Sequence, residues 1–306
     1  MTDEEELPSK EIWLKKHGGF PAPDWHFLID WQENKSEQTR RRLAVAVVDE
    51  WVDALCERAG NDFEVISSTH FLVVSGRSPR ESDVLVAAME RAVDRIVRQL
   101  PGIARVRSIP KYVAVLFSDH DTFLQYVSIF YPDEGEYGHP GGLFIADGLG
   151  HVVLPGDPIA ALESSITHEL THVLCRHLHL PSWFDEGLAQ AMECAAGLST
   201  ATIFDREHIE EHRAYWTEER LADFWSGKSF KSIEGQRLSY ALAEFLISAL
   251  PGEPPLLAEF VNHASAEDAG HEAARSILSI ELEALIAPLV PTLADRFGES
   301  QANPPE

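Results

Sequence analysis

Between Pro158 and Pro181 the chain runs for twenty-two residues without a glycine or a proline. Asp157-Pro158 at its head reads as an N-cap followed by proline at the first helical position, and Pro181 reads as a stop. The punctuation therefore predicts one helix of about twenty residues. Ile159, Leu162, Ile166, Leu170, Val173, Leu174 and Leu178 recur at three- and four-residue steps and give that helix an apolar stripe to bury. His168, His172, Cys175 and His179 fall on another face.

The two histidines on that other face, His168 and His172, belong to the run His168-Glu169-Leu170-Thr171-His172. An offset of four residues is about one helical turn, so both imidazoles leave the same side and can reach one metal ion about 2 Å from each ring nitrogen. Glu169 then lies beside the ion, where a carboxylate can take the proton of a metal-activated water. Fourteen residues after His172 comes Glu186, within Trp183-Phe184-Asp185-Glu186-Gly187-Leu188-Ala189. Ser182 and Asp185 have capping-box spacing, which predicts a second helix from about Trp183 to Cys194. Its first turn would hold Glu186, available as a third ligand, and Gly187 would let backbones approach closely. A glutamate at a helix start also serves simply as a charge complementing the helix dipole. Cys175, three residues past His172, reads as a small buried core residue, and His177 and His179 read as surface residues.

With Pro181-Ser182 before it, the Trp-Phe-Asp-Glu-Gly-Leu-Ala run and the His-Glu-Leu-Thr-His run together resemble the gluzincin class of zincin metallopeptidases, especially the small bacterial peptidase MA-like domains. The resemblance spans roughly residues 63 to 290, and the two metal motifs are its specific part. It implies Zn2+ held by His168, His172 and Glu186, with Glu169 as general base. It implies an edge strand, Gly142–Ala146 or His151–Leu154, that pairs with an extended substrate backbone. The run Ser239 to Leu246 is similar to the helix these domains place behind the site. Tyr240 on that run lies downstream of Glu186 as the donor tyrosine of some gluzincins does, and so is the first candidate for stabilising the carbonyl oxygen. His208, His212, Tyr215 and Arg237 stay open for that role. Two departures stand out: Gln190 occupies the place where thermolysin-like enzymes have a histidine-bracing aspartate, and the Gly-x-Met-Glu-Asn signature of aminopeptidase N-like enzymes is absent.

A formal charge of −25 over 306 residues argues against nucleic acid or an anionic membrane as a partner, since either would need a basic face. No apolar run is long enough to span a membrane, and the acidic N-terminus lacks the features of a signal peptide, which predicts a cytoplasmic protein. Three cysteines, Cys56, Cys175 and Cys194, show no ligand spacing and suit a reducing compartment.

The fold expected is α+β and zincin-like, with a small twisted mixed sheet and helices in the first half, the zinc helix at a cleft, and a mostly helical second half. The division expected is an aromatic and acidic extension over 1–35, a sheet-bearing part over 36–180, a helical part over 181–296, and a tail over 297–306. The extension, with Trp13, Phe20, Trp25, Phe27 and Trp31, is predicted to dock its aromatics on the core, the alternative being a lid or pro-segment. Periodicity predicts helices over Gln38–Arg58, Glu81–Leu100, Asp121–Phe130, Arg206–Phe224, Leu238–Leu250, Pro255–Ala264 and His271–Leu289. Strands are expected over Phe63–Ser75 as a pair and over Tyr112–Phe117, with a hairpin from Gly142 to Pro155 turning at Asp147–Gly150.

The function this implies is a zinc-dependent peptidase acting on a peptide or protein substrate. The alternative is a zinc-binding structural or regulatory domain without turnover. A third reading is hydrolysis of a non-peptide amide or ester by the same water.

Overall fold

The computed structural model describes residues 6–59, 63–131, 141–200, 202, 204–232, 234–251 and 253–293. The expected tail over 297–306 lies outside the described residues. Contacts divide the chain into two compact units, one formed by the residues up to 94 with 106–131 and 141–173, the other by 95–105 and the residues from 174 onward.

The first unit is built on a five-stranded mixed sheet. Its strands are β3 (Glu64–Ser67), β4 (Phe71–Ser75), β5 (Tyr112–Leu116), β6 (Leu143–Ile145) and β7 (His151–Leu154), in the order β3-β4-β5-β7-β6. β4, β5 and β7 run parallel, while the outer strands β3 and β6 are antiparallel to their neighbours. All five residues of β5 and all four of β7 are buried, as suits parallel strands covered on both faces. Helices α3 (Glu37–Ala59), α4 (Pro79–Gln99) and α5 (His120–Val127) accompany the sheet, and α6 (Ile159–Cys175) follows β7. The periodicity of α3 is realised: Leu43, Val47, Trp51 and Leu55 are all buried.

The N-terminal extension docks on this unit. It forms α1 (Lys10–Trp13), a hairpin of β1 (Leu14–His17) and β2 (Phe20–Pro23) turning at Gly18-Gly19, and α2 (Trp25–Gln32). Phe20 packs edge-on against Phe117 and Tyr126, and Trp25 against Trp51. The Trp51 indole N–H donates to the Pro21 carbonyl at 3.0 Å. Trp31 stays half-buried under the Lys35 ammonium.

Arg77 fastens the sheet to the start of α6. Its buried guanidinium donates to the carbonyl oxygens of Phe117 at 2.8 Å, Pro155 at 2.5 Å and Asp157 at 2.7 Å. Those carbonyls mark the ends of β5 and β7 and the residues leading into α6, so one planar cation with a fixed fork of donors sets where that helix begins.

The second unit is helical: α7 (Ser182–Ala195), α8 (Arg206–Tyr215), α9 (Glu218–Trp225), α10 (Gln236–Ala249), α11 (Pro254–His263), α12 (His271–Ala273) and α13 (Leu282–Ile286). Its core joins Trp183, Phe184 and Leu188 of α7 to Leu242, Leu246 and Phe260. Two helices expected from periodicity are broken. The Arg206–Phe224 stretch divides because Trp216 turns extended and buries its ring, after which the Thr217 side chain accepts from the Arg220 N–H and caps a new helix. The His271–Leu289 stretch ends its first segment in a wide turn over Ala274–Leu278, closed by Ser279 in the left-handed region at φ 58°, before α13 begins.

Among the described residues no helix is long and apolar enough to cross a membrane.

Candidate metal site

The helix expected between Pro158 and Pro181 is present as α6, extended by a tighter turn over Arg176–Leu178. Leu162, Ile166, Leu170, Val173 and Leu174 of its stripe are buried; Ile159 and Leu178, at the two ends, are only partly so. Cys175 is also buried, as expected of a core residue. The segment then reverses through His179, which takes the left-handed conformation at φ 51°, and reaches Pro181. His177 and His179 are exposed, in keeping with their reading as surface residues.

The capping box expected at Ser182 does not form. Pro181 is the N-cap residue, with no side-chain cap, and its carbonyl accepts from the N–H groups of Phe184 and Asp185 at 2.9 and 3.0 Å. The helix thus starts one residue early, with Ser182 already inside it. Glu186 consequently lies at the start of the second turn, not within the first. Here α7 meets α10 within the second unit: a Cβ on Gly187 would come within 2.7 Å of Ile247 Cγ1 and 2.8 Å of the Ala243 carbonyl oxygen. Only a residue without a side chain permits that approach.

Within the continuous stretch from α6 to α7, His168, His172 and Glu186 each offer a ligand atom, and the three lie within 4.8 Å of one another. The imidazoles of His168 and His172, one turn apart, have ring centroids 4.9 Å apart at 74°. All three side chains are partly exposed. In a tetrahedral shell of about 2 Å bonds, ligand atoms are roughly 3.4 Å apart, so side-chain rotations that move the ligand atoms by about an ångström would close the group on one ion. Two imidazole nitrogens and one carboxylate oxygen are borderline and hard donors, a set that suits divalent transition ions.

Glu169 stands outside this set. It is buried, and its Oε2 accepts from the backbone N–H of Phe144 at 2.7 Å. Phe144 is the middle residue of β6, the edge strand beside β7. Of the two segments weighed as an edge, the His151–Leu154 strand is therefore interior and the Gly142–Ala146 stretch holds the edge. The hairpin turn is as expected, with the Gly150 N–H donating to the Asp147 carbonyl at 2.9 Å.

The residues left open for carbonyl stabilisation are dispersed within the second unit. Tyr240 is half-buried on α10, with Phe230 set edge-on to its ring at 5.4 Å. His208 is partly exposed and bonded to Asp205. His212 is buried and accepts from the Trp216 indole N–H; burial lowers its pKa to about 4. Tyr215 carries the Arg220 guanidinium over its ring, and Arg237 pairs with Glu211 on the surface. Sequence reasoning passed over Tyr131, at the end of the turn that follows α5. Burial raises the pKa of its phenol, and the negative charge of Glu169 raises it further. Nothing in the spacing of the sequence connects a tyrosine thirty-eight positions upstream with Glu169.

The sequence matches no known protein-family model, and no curated protein is significantly similar to it.

Proposed function

We propose that this chain is a zinc-dependent metallopeptidase of the gluzincin type, with a zincin-like arrangement of sheet and metal helix. The observation that carries the proposal is the convergence of His168, His172 and Glu186 within 4.8 Å, with a fourth group, Glu169, held beside them and outside the ligand set. Two nitrogens and one oxygen are the donor set of catalytic zinc sites, which keep a coordination position open. A zinc ion held by these three residues supplies Lewis acidity and makes water acidic enough to attack near neutral pH.

The remaining chemistry belongs to the chain. Glu169 takes one proton from the attacking water as its oxygen bonds to the carbonyl carbon. When the carbon–nitrogen bond breaks, Glu169 delivers that proton to the departing amine, so that it ends the cycle as a carboxylate. The Phe144 N–H holds one oxygen of Glu169 at 2.7 Å. The resemblance gives the β6 edge to an extended peptide, and strand addition of that kind needs no particular side chain; the Phe144 N–H, bound to Glu169, is not among the groups such a peptide would use.

Metal analysis of the purified protein combined with Glu169→Gln tests the proposal. One equivalent of zinc in both proteins, cleavage of a peptide library by the wild type, and a loss of about 10²-fold or more in the variant are expected. Unchanged function in Glu169→Gln with zinc retained would instead identify a zinc-binding structural or regulatory domain. Cleavage of esters or simple amides without peptides would move the substrate class.

A further inference from the structure

We propose that the first unit carries a second binding site, a pocket between the N-terminal arm and the β6–β7 turn that takes a free amino acid with a large apolar side chain. The inference is independent of the peptidase reading, because none of its residues belongs to the candidate metal group.

Helices α2 and α3 and the turn enclose a cavity of about 310 Å³, within the roughly 300–1,000 Å³ of small-molecule sites. Trp25, Leu28, Val47 and Leu149 give it apolar walls. Ile29 also lines it and is 62 % exposed, the most exposed large hydrophobic side chain among the described residues. The walls are set before a ligand arrives. The Trp25 indole lies against Gly148, where a Cβ would come within 2.0 Å of the ring, and Gly148 itself takes φ 53°. Trp25 also packs edge-on to Trp51 at 5.9 Å, and the Asp24 side chain caps α2 by accepting from the Phe27 N–H at 3.0 Å.

Gln32, Glu33 and Arg40 supply the polar groups of the pocket. The neighbouring Arg41 is paired with Glu37, whereas Arg40 and Glu33 form no ion pair among the described residues. One cation and one anion beside an apolar cavity match the carboxylate and the ammonium of a zwitterion whose side chain fills the space. An anionic amphiphile would leave Glu33 unmatched and would meet the field of a chain with a formal charge of −25. A zwitterion has no net charge to be repelled.

Calorimetry on the full chain compares L-phenylalanine, L-leucine, L-serine, phenylalanine amide, N-acetylphenylalanine and octanoate. Phenylalanine and leucine should bind one to one with Kd below about 1 mM, and serine should not bind. The amide and the N-acetyl form should each be weaker by about tenfold or more, as expected for losing a charged hydrogen-bond partner. Arg40→Gln should weaken phenylalanine by a similar factor and leave its amide unchanged, and Glu33→Gln should do the same with the N-acetyl form. Ala44→Trp, which fills the cavity from α3, should abolish binding with the circular dichroism unchanged. If that variant unfolds, the two exposed charge variants decide alone. No binding of phenylalanine or leucine at about 10 mM would overturn the proposal. So would an affinity for phenylalanine that Arg40→Gln, Glu33→Gln and Ala44→Trp all leave unchanged, because the ligand would then sit elsewhere, on a metal ion at His168 and His172 for example. Octanoate binding more tightly than phenylalanine would overturn the choice of a zwitterion.

Discussion

The backbone N–H of Phe144 donates to Glu169 Oε2 across 2.7 Å, joining the edge strand β6 to the middle of α6. A main-chain donor cannot swing away as a side chain does, so the carboxylate is aimed by the sheet itself. Phe144→Pro deletes the donor on an edge strand, where proline is tolerated. We expect hydrolysis to fall about tenfold or more with zinc content intact, while Phe144→Ala, which keeps the N–H, stays within a few-fold. Equal activity in the two variants would show that the bond does not orient Glu169.

Metal uptake separates the ligand residues from the base. His168→Ala and His172→Ala should each abolish stoichiometric zinc binding. Glu186→Gln should weaken it by more than the roughly 10–100-fold typical of losing an outer hydrogen-bond partner. In the wild type, free zinc at about 100 times its Kd should raise stability by about 2.7 kcal/mol. Thermal unfolding with and without zinc checks this: a zinc-induced rise that persisted in His168→Ala would place the ion elsewhere.

Gly187→Ala forces a methyl group against Ile247 and the Ala243 carbonyl, at separations of 2.7 and 2.8 Å. Overpacking of this kind costs about 1–3 kcal/mol. Because the residue follows Glu186 directly, zinc affinity should drop together with the urea midpoint. A variant as stable as the wild type would mean that α7 and α10 separate at little cost.

Acid sensitivity should come in part from His151. Burial pushes this imidazole down to about 3, against an ordinary value near 6.5, while Tyr126 bonds its Nε2 at 2.8 Å. The folded state resists protonation and the unfolded chain does not, so the unfolded state binds the extra proton between those two values. Stability is thus greatest above about pH 6.5 and falls as the pH drops towards 3, by up to about 1.4 kcal/mol per pH unit for this one group. His151→Gln keeps an acceptor for the Tyr126 hydroxyl and should flatten that share of the decline. Urea midpoints at pH 7, 5.5 and 4 give the comparison, and an identical slope in the variant would exclude His151 as the cause.

The N-terminal arm belongs to the fold of the first unit, since Phe20 sits in its core and Pro21 accepts from Trp51. Phe20→Ala should cost about 3–5 kcal/mol. Removing residues 1–35 should give insoluble or unfolded protein, judged by circular dichroism. A soluble truncation with raised peptidase activity would identify the arm as a pro-segment instead.

Much of this was legible in the chain because it is local. The α6 stripe, the four-residue step between His168 and His172, the Trp51 face of α3 and the Asp147–Gly150 turn all follow from periodicities of 3.6 or 2 and from turn chemistry. Helix ends were less legible. Trp216 and Ser279 interrupt runs whose apolar spacing is continuous, because burial of one indole and a left-handed serine outweighed propensity. Pro181 replaced Ser182 as the cap of α7 for a similarly local reason that spacing does not resolve.

By itself, the sequence determined which side chains make up the candidate site: two histidines one turn apart, a carboxylate between them, and a glutamate beyond a proline. Tertiary structure decided what surrounds them. Only the folded chain makes β6 the edge strand, brings the Phe144 N–H to Glu169 and sets Arg77 across three carbonyls. Those relations link residues up to eighty positions apart. Hydrogen bonds and burial between distant segments leave no periodic trace in a sequence, because they depend on where strands pair and not on how neighbouring residues are spaced.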